Sequence, residues 1–267
     1  MNTKKMPKQL KVVASYAISP HMQRLEFTTE DIQYFTADSA GQYLKLMFTP
    51  SGGTDLSLLG PEESPILRTY TIRQIDIANK RLAIDFVKHH ALAVTRLISP
   101  ATGGYGHYFA ERAQVGDHIE VRGPGVIQAI DLNRDWLMLV VDMTSIPALS
   151  VLIQALPKNA CGYLVLEVLS TADVPAFDLP VNIQLIIKVR GQNEALSEVV
   201  ERLAWRVGQP SVWCACEFSD MKAIRSYVTH QQQIDRADCY FSSYWKEGVT
   251  EDGHKIIKLK DNESFNK

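Results

Sequence analysis

The run RTYTIR at 68–73 combines a permanent cation, an aromatic face and a hydroxyl within six residues, through Arg68, Tyr70, Thr71 and Arg73. An arginine offers forked donors matched to a phosphate or pyrophosphate, and a strand tyrosine offers a ring face or a hydroxyl to a planar ligand. Standing alone, the same run reads equally as an amphipathic strand with exposed Arg68 and Arg73. A second group follows residue 135: Asp142, Thr144 and Ser145 precede Pro147 at a helix start whose positive end could face a phosphate, and Glu217 closes a later strand where it could orient an amide. The plainer alternative is that Thr144 or Ser145 caps that helix. The adjacent His89 and His90 cannot both face one metal, and no carboxylate or cysteine is spaced to complete a site, so no protein-bound metal is expected. Cys161, Cys214, Cys216 and Cys239 form no CxxC pair, and SVWCACEF reads as a buried strand in which the thiols are core. No GxSxG, no P-loop and no paired-carboxylate constellation is present, which removes hydrolase and kinase chemistry.

The elements that must position these residues change character near the middle of the chain. Up to about residue 127 the segments LKVVASYAI, MQRLEFTT, GQYLKLMFT, RTYTIRQI, RLAIDFVKH and HIEVRGPGV read as about six short strands separated by turn-rich connectors, the pattern of a closed antiparallel barrel. After Asp135, strands alternate with helical stretches, the signature of a mostly parallel sheet with helices on its faces. Leu196, Val199, Val200 and Leu203 form the apolar stripe of one helix, and Ser219 is the expected N-cap of the next. The expected layout is α+β in two domains: a six-stranded antiparallel β-barrel over 1–132, an α/β Rossmann-like domain over 133–247, and a charged tail over 248–267 too poor in apolar residues to add core. The turn after the first strand of the second half has no GxGxxG, so a tightly held dinucleotide is not expected there.

Bulk properties narrow the class further. Apolar residues at 46% and charged residues at 22% describe a packed soluble body, and a formal charge of −2 provides no field to gather nucleic acid or an anionic membrane. The start MNTKKMPKQLKVV lacks the apolar core of about 7–15 residues that a secretory signal needs, and no run approaches the ~20 apolar residues of a membrane span. The expected location is the cytoplasm, whose reducing conditions suit unpaired thiols.

Taken in order, SPHMQRLEFT, QYLKLMF, RTYTIR, DFVKHH, the GD at 116–117, the GPG at 123–125, DMTSIPALSVLIQALP, CEFSDMKAIRSY and SSYWKEG resemble the siderophore-interacting protein family within the ferredoxin-reductase-like flavoproteins. The resemblance covers nearly the whole chain. It implies a flavin-binding barrel joined to a nicotinamide-type domain, and an FAD-dependent reductase passing electrons from NADH or NADPH, or from ferredoxin, to Fe(III) in a siderophore. The loop LSTADVPAF at 169–177 has no cation to grip a 2′-phosphate, which favours NADH. Cofactor contacts implied are Arg68, Tyr70, Thr71, Arg73, His89, Gly104, Gly106, His107, Asp142, Thr144 and Ser145, with Glu217 and Thr144 toward the nicotinamide. Lys45, Lys246 and Arg122 are the implied cations for a ferric siderophore, a monomer is expected, and no acid–base residue is required because the cofactor carries the chemistry. Two departures stand out. The family's Gly-Pro-Ala-Ser-like turn is represented by Gly104–Tyr105–Gly106–His107 after a longer connector over 91–102, and Val126 and Ile127 replace a basic residue beside the GPG turn.

Overall fold

Alternation of apolar and polar side chains dictates strands with one buried face, and the first unit, Met1–Ile127, consists largely of such strands. A computed structural model describes residues 6–88, 104–192 and 194–265; His89, His90 and the connector 91–102 lie outside the described residues. Strands β1 (Lys8–Ser19), β2 (Met22–Thr28), β3 (Tyr43–Phe48), β4 (Ile66–Asp76), β5 (Arg81–Val87) and β6 (His118–Gly125) close a barrel in the order β1-β2-β5-β4-β3-β6, and every pairing is antiparallel. The inward rows supply its core: Leu10 and Val12, Leu25 and Phe27, Leu44, Leu46 and Phe48, Ile72, Leu82, Ile84 and Phe86, Ile119 and Val121. Each such side chain, fully buried, contributes about 1.5–3 kcal/mol. Helix α1 (Tyr105–Arg112) packs onto this core through Tyr105 and Phe109, one turn apart, which meet Phe48 at ring-centroid distances of 5.8 and 5.9 Å.

The second unit, Gln128–Lys267, is a five-stranded parallel sheet. Strands β7 (Trp136–Val141), β8 (Cys161–Val168), β9 (Asn182–Val189), β10 (Pro210–Glu217) and β11 (Cys239–Trp245) lie in the order β11-β10-β7-β8-β9. Central β7 and β10 are buried along their whole length, as parallel strands covered on both faces must be. Helices α2 (Ile146–Gln154), α3 (Leu196–Glu201) and α4 (Phe218–Ser226) connect the strands. Chain order reverses between β7 and β10, so the crevice expected of such sheets opens where Asp142 and Glu217 stand. Cys214 and Cys216 are fully buried, and all four cysteines are free thiols.

Two details differ from expectation. Helix α4 begins two residues earlier than expected, and its N-cap is Glu217, whose carboxylate accepts from the amides of Ser219 and Asp220, so Ser219 is not the cap. The charged tail is also not bare: Glu251–Phe265 forms helix α5, which buries His254.

Candidate functional site

In the barrel, β4 turns alternate side chains to opposite faces, which separates the RTYT residues into two groups. Arg68 and Tyr70 share a face with the core residue Ile72. The Tyr70 ring lies 4.4 Å from that of Phe86, and the Arg68 guanidinium lies 4.7 Å over the ring of Tyr105, the first residue of α1. Gly104 takes φ 102° immediately before the helix, a conformation few side chains tolerate. Gly106 lies so close to the Tyr70 ring that a Cβ there would collide with it. Four elements of one constellation therefore meet: Arg68, Tyr70, the glycine-bearing first turn, and Tyr105, which the sequence reading passed over. An arginine beside the first turn of a helix is a donor set suited to a diphosphate, and the close fit of Tyr70 to Gly106 is the kind of cradle that a side chain would fill. The residues present fit the diphosphate end of FAD. His107 is placed differently: its ring is 1% exposed, with Nε2 3.4 Å from the Glu111 carboxylate.

Thr71 occupies the opposite face of β4, buried and in register with Tyr43 on β3. The next rung on that face pairs Thr69 with Lys45, and Lys45 in turn pairs with Arg122 on β6. Lys45 and Arg122 are thus cross-strand neighbours of like charge, and among the described residues neither forms an ion pair. Arg73 stands apart from both groups. It lies where β4 bulges against β5, 3.9 Å from Asp85, which already holds Arg24 through contacts of 2.6 and 2.8 Å. Burial pulls the Arg73 guanidinium below its usual range, against the pull of the Asp85 charge.

In the α/β unit the expected ligand residues are engaged with the protein itself. Asp142 is buried and accepts from the Thr144 amide at 2.8 Å, the Thr144 hydroxyl at 2.5 Å and the Trp245 indole N–H at 2.7 Å. Burial pushes its carboxyl up to about 6, and the Thr144 and Trp245 hydrogen bonds act the other way. Ser145 is fully buried and its hydroxyl donates to the carbonyls of Ala215 and Asp142. Glu217 caps α4 and also accepts the Glu247 amide at 3.1 Å. Lys246 lies 4.8 Å over the Phe218 ring, with Nζ 3.5 Å from the Ser219 hydroxyl. Two residues missed in the sequence reading complete the picture: Trp245 and Arg190, whose guanidinium lies 4.6 Å over the Trp245 ring. The signal available was position alone, since Arg190 directly follows β9.

Among the described residues no group of three or more His, Cys, Asp and Glu could hold a metal ion, and no helix is long and apolar enough to cross a membrane. Residues 11–128 match the family model described as the siderophore-interacting FAD-binding domain, and residues 134–248 match that described as siderophore-interacting protein. The chain is 29% identical over 263 residues to the ferric vibriobactin reductase ViuB of Vibrio cholerae, covering 93% of this chain and 92% of that protein. Among solved structures, the siderophore-interacting protein SipS from Aeromonas hydrophila superposes with a TM-score of 0.79 at 26% identity, over 94% of this chain and 98% of SipS. A ferredoxin-NADP+ reductase from Plasmodium falciparum superposes with a TM-score of 0.62 at 11% identity, over 91% and 98% of the two chains, which places the fold among the ferredoxin-reductase-like proteins. A closed six-stranded antiparallel barrel, a parallel five-stranded α/β unit, and matches along almost the entire length agree on one assignment: the chain belongs to the siderophore-interacting protein family.

Proposed function

We propose that this protein is an FAD-dependent reductase of ferric siderophores, working in the cytoplasm and taking its electrons from a reduced nicotinamide. Bound FAD would supply the redox chemistry that links a two-electron donor to the one-electron reduction of Fe(III) to Fe(II). The chain's own residues bind and orient. Arg68 and the first-turn amides of α1 hold the diphosphate, and the Tyr70 ring packed on Gly106 fixes the adjacent wall.

The observation that carries the reading is the Lys45–Arg122 pair. Like charges directly across two strands destabilise a sheet, so an unneutralised pair on a half-buried face is best explained by an anion that it receives. Catecholate iron complexes are large anions. A face with positive point charges attracts them without bonding to the iron, and screening by salt weakens the attraction.

The double variant Lys45→Gln/Arg122→Gln tests this directly. With FAD content unchanged, KM for an anionic ferric catecholate should rise at least about tenfold, a loss of ~1.4 kcal/mol, while a neutral ferric hydroxamate is reduced as before. Equal effects on both chelates, or none on either, would remove the charge pair from the substrate site.

A further inference from the structure

The fold implies a nicotinamide dinucleotide at the carboxyl ends of the parallel strands, beside the reversal between β7 and β10. The residues standing there do not fit one. A bound dinucleotide needs open amides for its diphosphate and a glycine turn that lets the backbone approach. Here the turn Met143–Ser145 has no glycine, and two of its three amides are taken: Thr144 donates to the Asp142 carboxylate and Ser145 to the Asp142 carbonyl at 3.1 Å. The amides opening α4 are taken likewise by Glu217.

The space over these strand ends is crossed by the chain itself. Trp245 ends β11 at the outer edge of the sheet, yet its indole N–H reaches past β10 to Asp142 behind β7, and its ring faces Arg190 behind β9. Two residues on, the Glu247 amide binds Glu217 and its carboxylate takes the Arg190 fork at 3.1 Å. Arg190 also binds Glu167 at 3.3 Å, a carboxylate that Lys188 meets at 2.5 Å. Asp142, Glu167, Glu217 and Glu247 therefore ring the opening, and the cations among them are already paired with carboxylates or lie over rings. A diphosphate arriving there would meet carboxylates and would have to displace an indole from a buried Asp142.

We propose that the Trp245–Glu247 segment is a strap that fills this crevice, so that a reduced dinucleotide meets the protein only in passing and forms no stored complex at the strand ends. The identity of the donor rests on the reductase reading, but the binding measurement requires no turnover and no iron. Flavin-free and FAD-loaded protein would each be titrated with NAD+ and with NADP+ by calorimetry. No saturable binding is expected below about 1 mM, the concentration scale of weak, unspecific contact. In the loaded protein the rate of flavin bleaching should rise linearly with NADH over the same range. Micromolar saturation in either measurement would overturn the proposal. The variant Asp142→Asn/Glu247→Gln removes two carboxylate charges from the ring, keeps the turn's acceptor and frees one side of Arg190. If its circular dichroism is native, NAD+ should bind at least about tenfold more tightly. An unchanged affinity would show that the strap is not what keeps the nucleotide out.

Discussion

At the scale of single residues, the same side-chain types that can hold a ligand also hold turns, and the structure divides them between the two roles. Arg68 lies over the Tyr105 ring and Gly106 against the Tyr70 ring at the start of a helix, whereas Ser145 and Glu217 complete hydrogen bonds that the backbone needs wherever a strand turns into a helix. Sequence alone left both roles open at Thr144 and Ser145, because a capping acceptor and a phosphate donor occupy the same position in such a turn. Gly106 permits the sharpest test. A methyl group there would meet the Tyr70 hydroxyl and ring, so the tyrosine must move, at a cost of about 1–3 kcal/mol. Gly106→Ala should therefore purify with much less FAD and need at least about tenfold more to saturate, read from the flavin absorbance after dialysis. Full flavin occupancy in that variant would separate the Tyr70–Gly106 contact from the cofactor.

Elements with a clean period were legible, and the one built on a polar stripe was not. The six barrel strands and the strand–helix alternation of the second unit stand within a few residues of where the apolar pattern puts them, because burial on one face requires that pattern. Helix α5 obeys the same geometry with the wrong chemistry: His254, Ile257, Lys258 and Asp261 fall at helical spacing, but three of the four are polar. His254 bonds the Ser243 hydroxyl at 2.8 Å, Lys258 reaches the Ser242 hydroxyl and the Ser243 carbonyl, and Asp261 takes Arg225 in a bidentate pair of 2.8 Å bonds. Only the partners on β11 and α4 show that these groups dock the helix, and partners cannot be read from the helix's own sequence. Burial depresses His254 from 6.5 to about 4; the nearby Lys258 and Lys246 push the same way and Glu217 pushes against it. A depressed base adds stability above the unfolded value, and that stability drains away as pH falls through the folded one. Acidification from about pH 6.5 to 4 should thus weaken wild type relative to His254→Gln, which keeps a hydrogen-bonding group but does not titrate. Urea midpoints followed by tryptophan fluorescence should converge with pH over this window and run parallel above it; parallel curves throughout would take His254 out of the docking.

For the whole molecule, the decisive fact is that each unit encloses its own core, one built from residues between Leu10 and Val121 and the other from residues between Trp136 and Cys239. The barrel core joins six strands and α1, while Trp136, Met138 and Val140 of β7 anchor the second core against β8, β10 and the helices. Domains with separate cores can unfold separately, and a ligand stabilises only the unit whose folded form binds it. The chain offers a natural way to watch both. All four tryptophans, Trp136, Trp205, Trp213 and Trp245, lie in the second unit, so their fluorescence reports the α/β sheet, while FAD held at Arg68 and Gly106 would report the barrel. Added FAD at about 100 times its dissociation constant stabilises its host by ~2.7 kcal/mol, which for a domain of this size raises the melting point by several degrees. Flavin release should therefore move to higher temperature with excess FAD, and the tryptophan transition should stay where it is. A single transition that shifts as one for both signals would mean that the two cores unfold together, and the barrel could then no longer be treated as the independent host of the flavin.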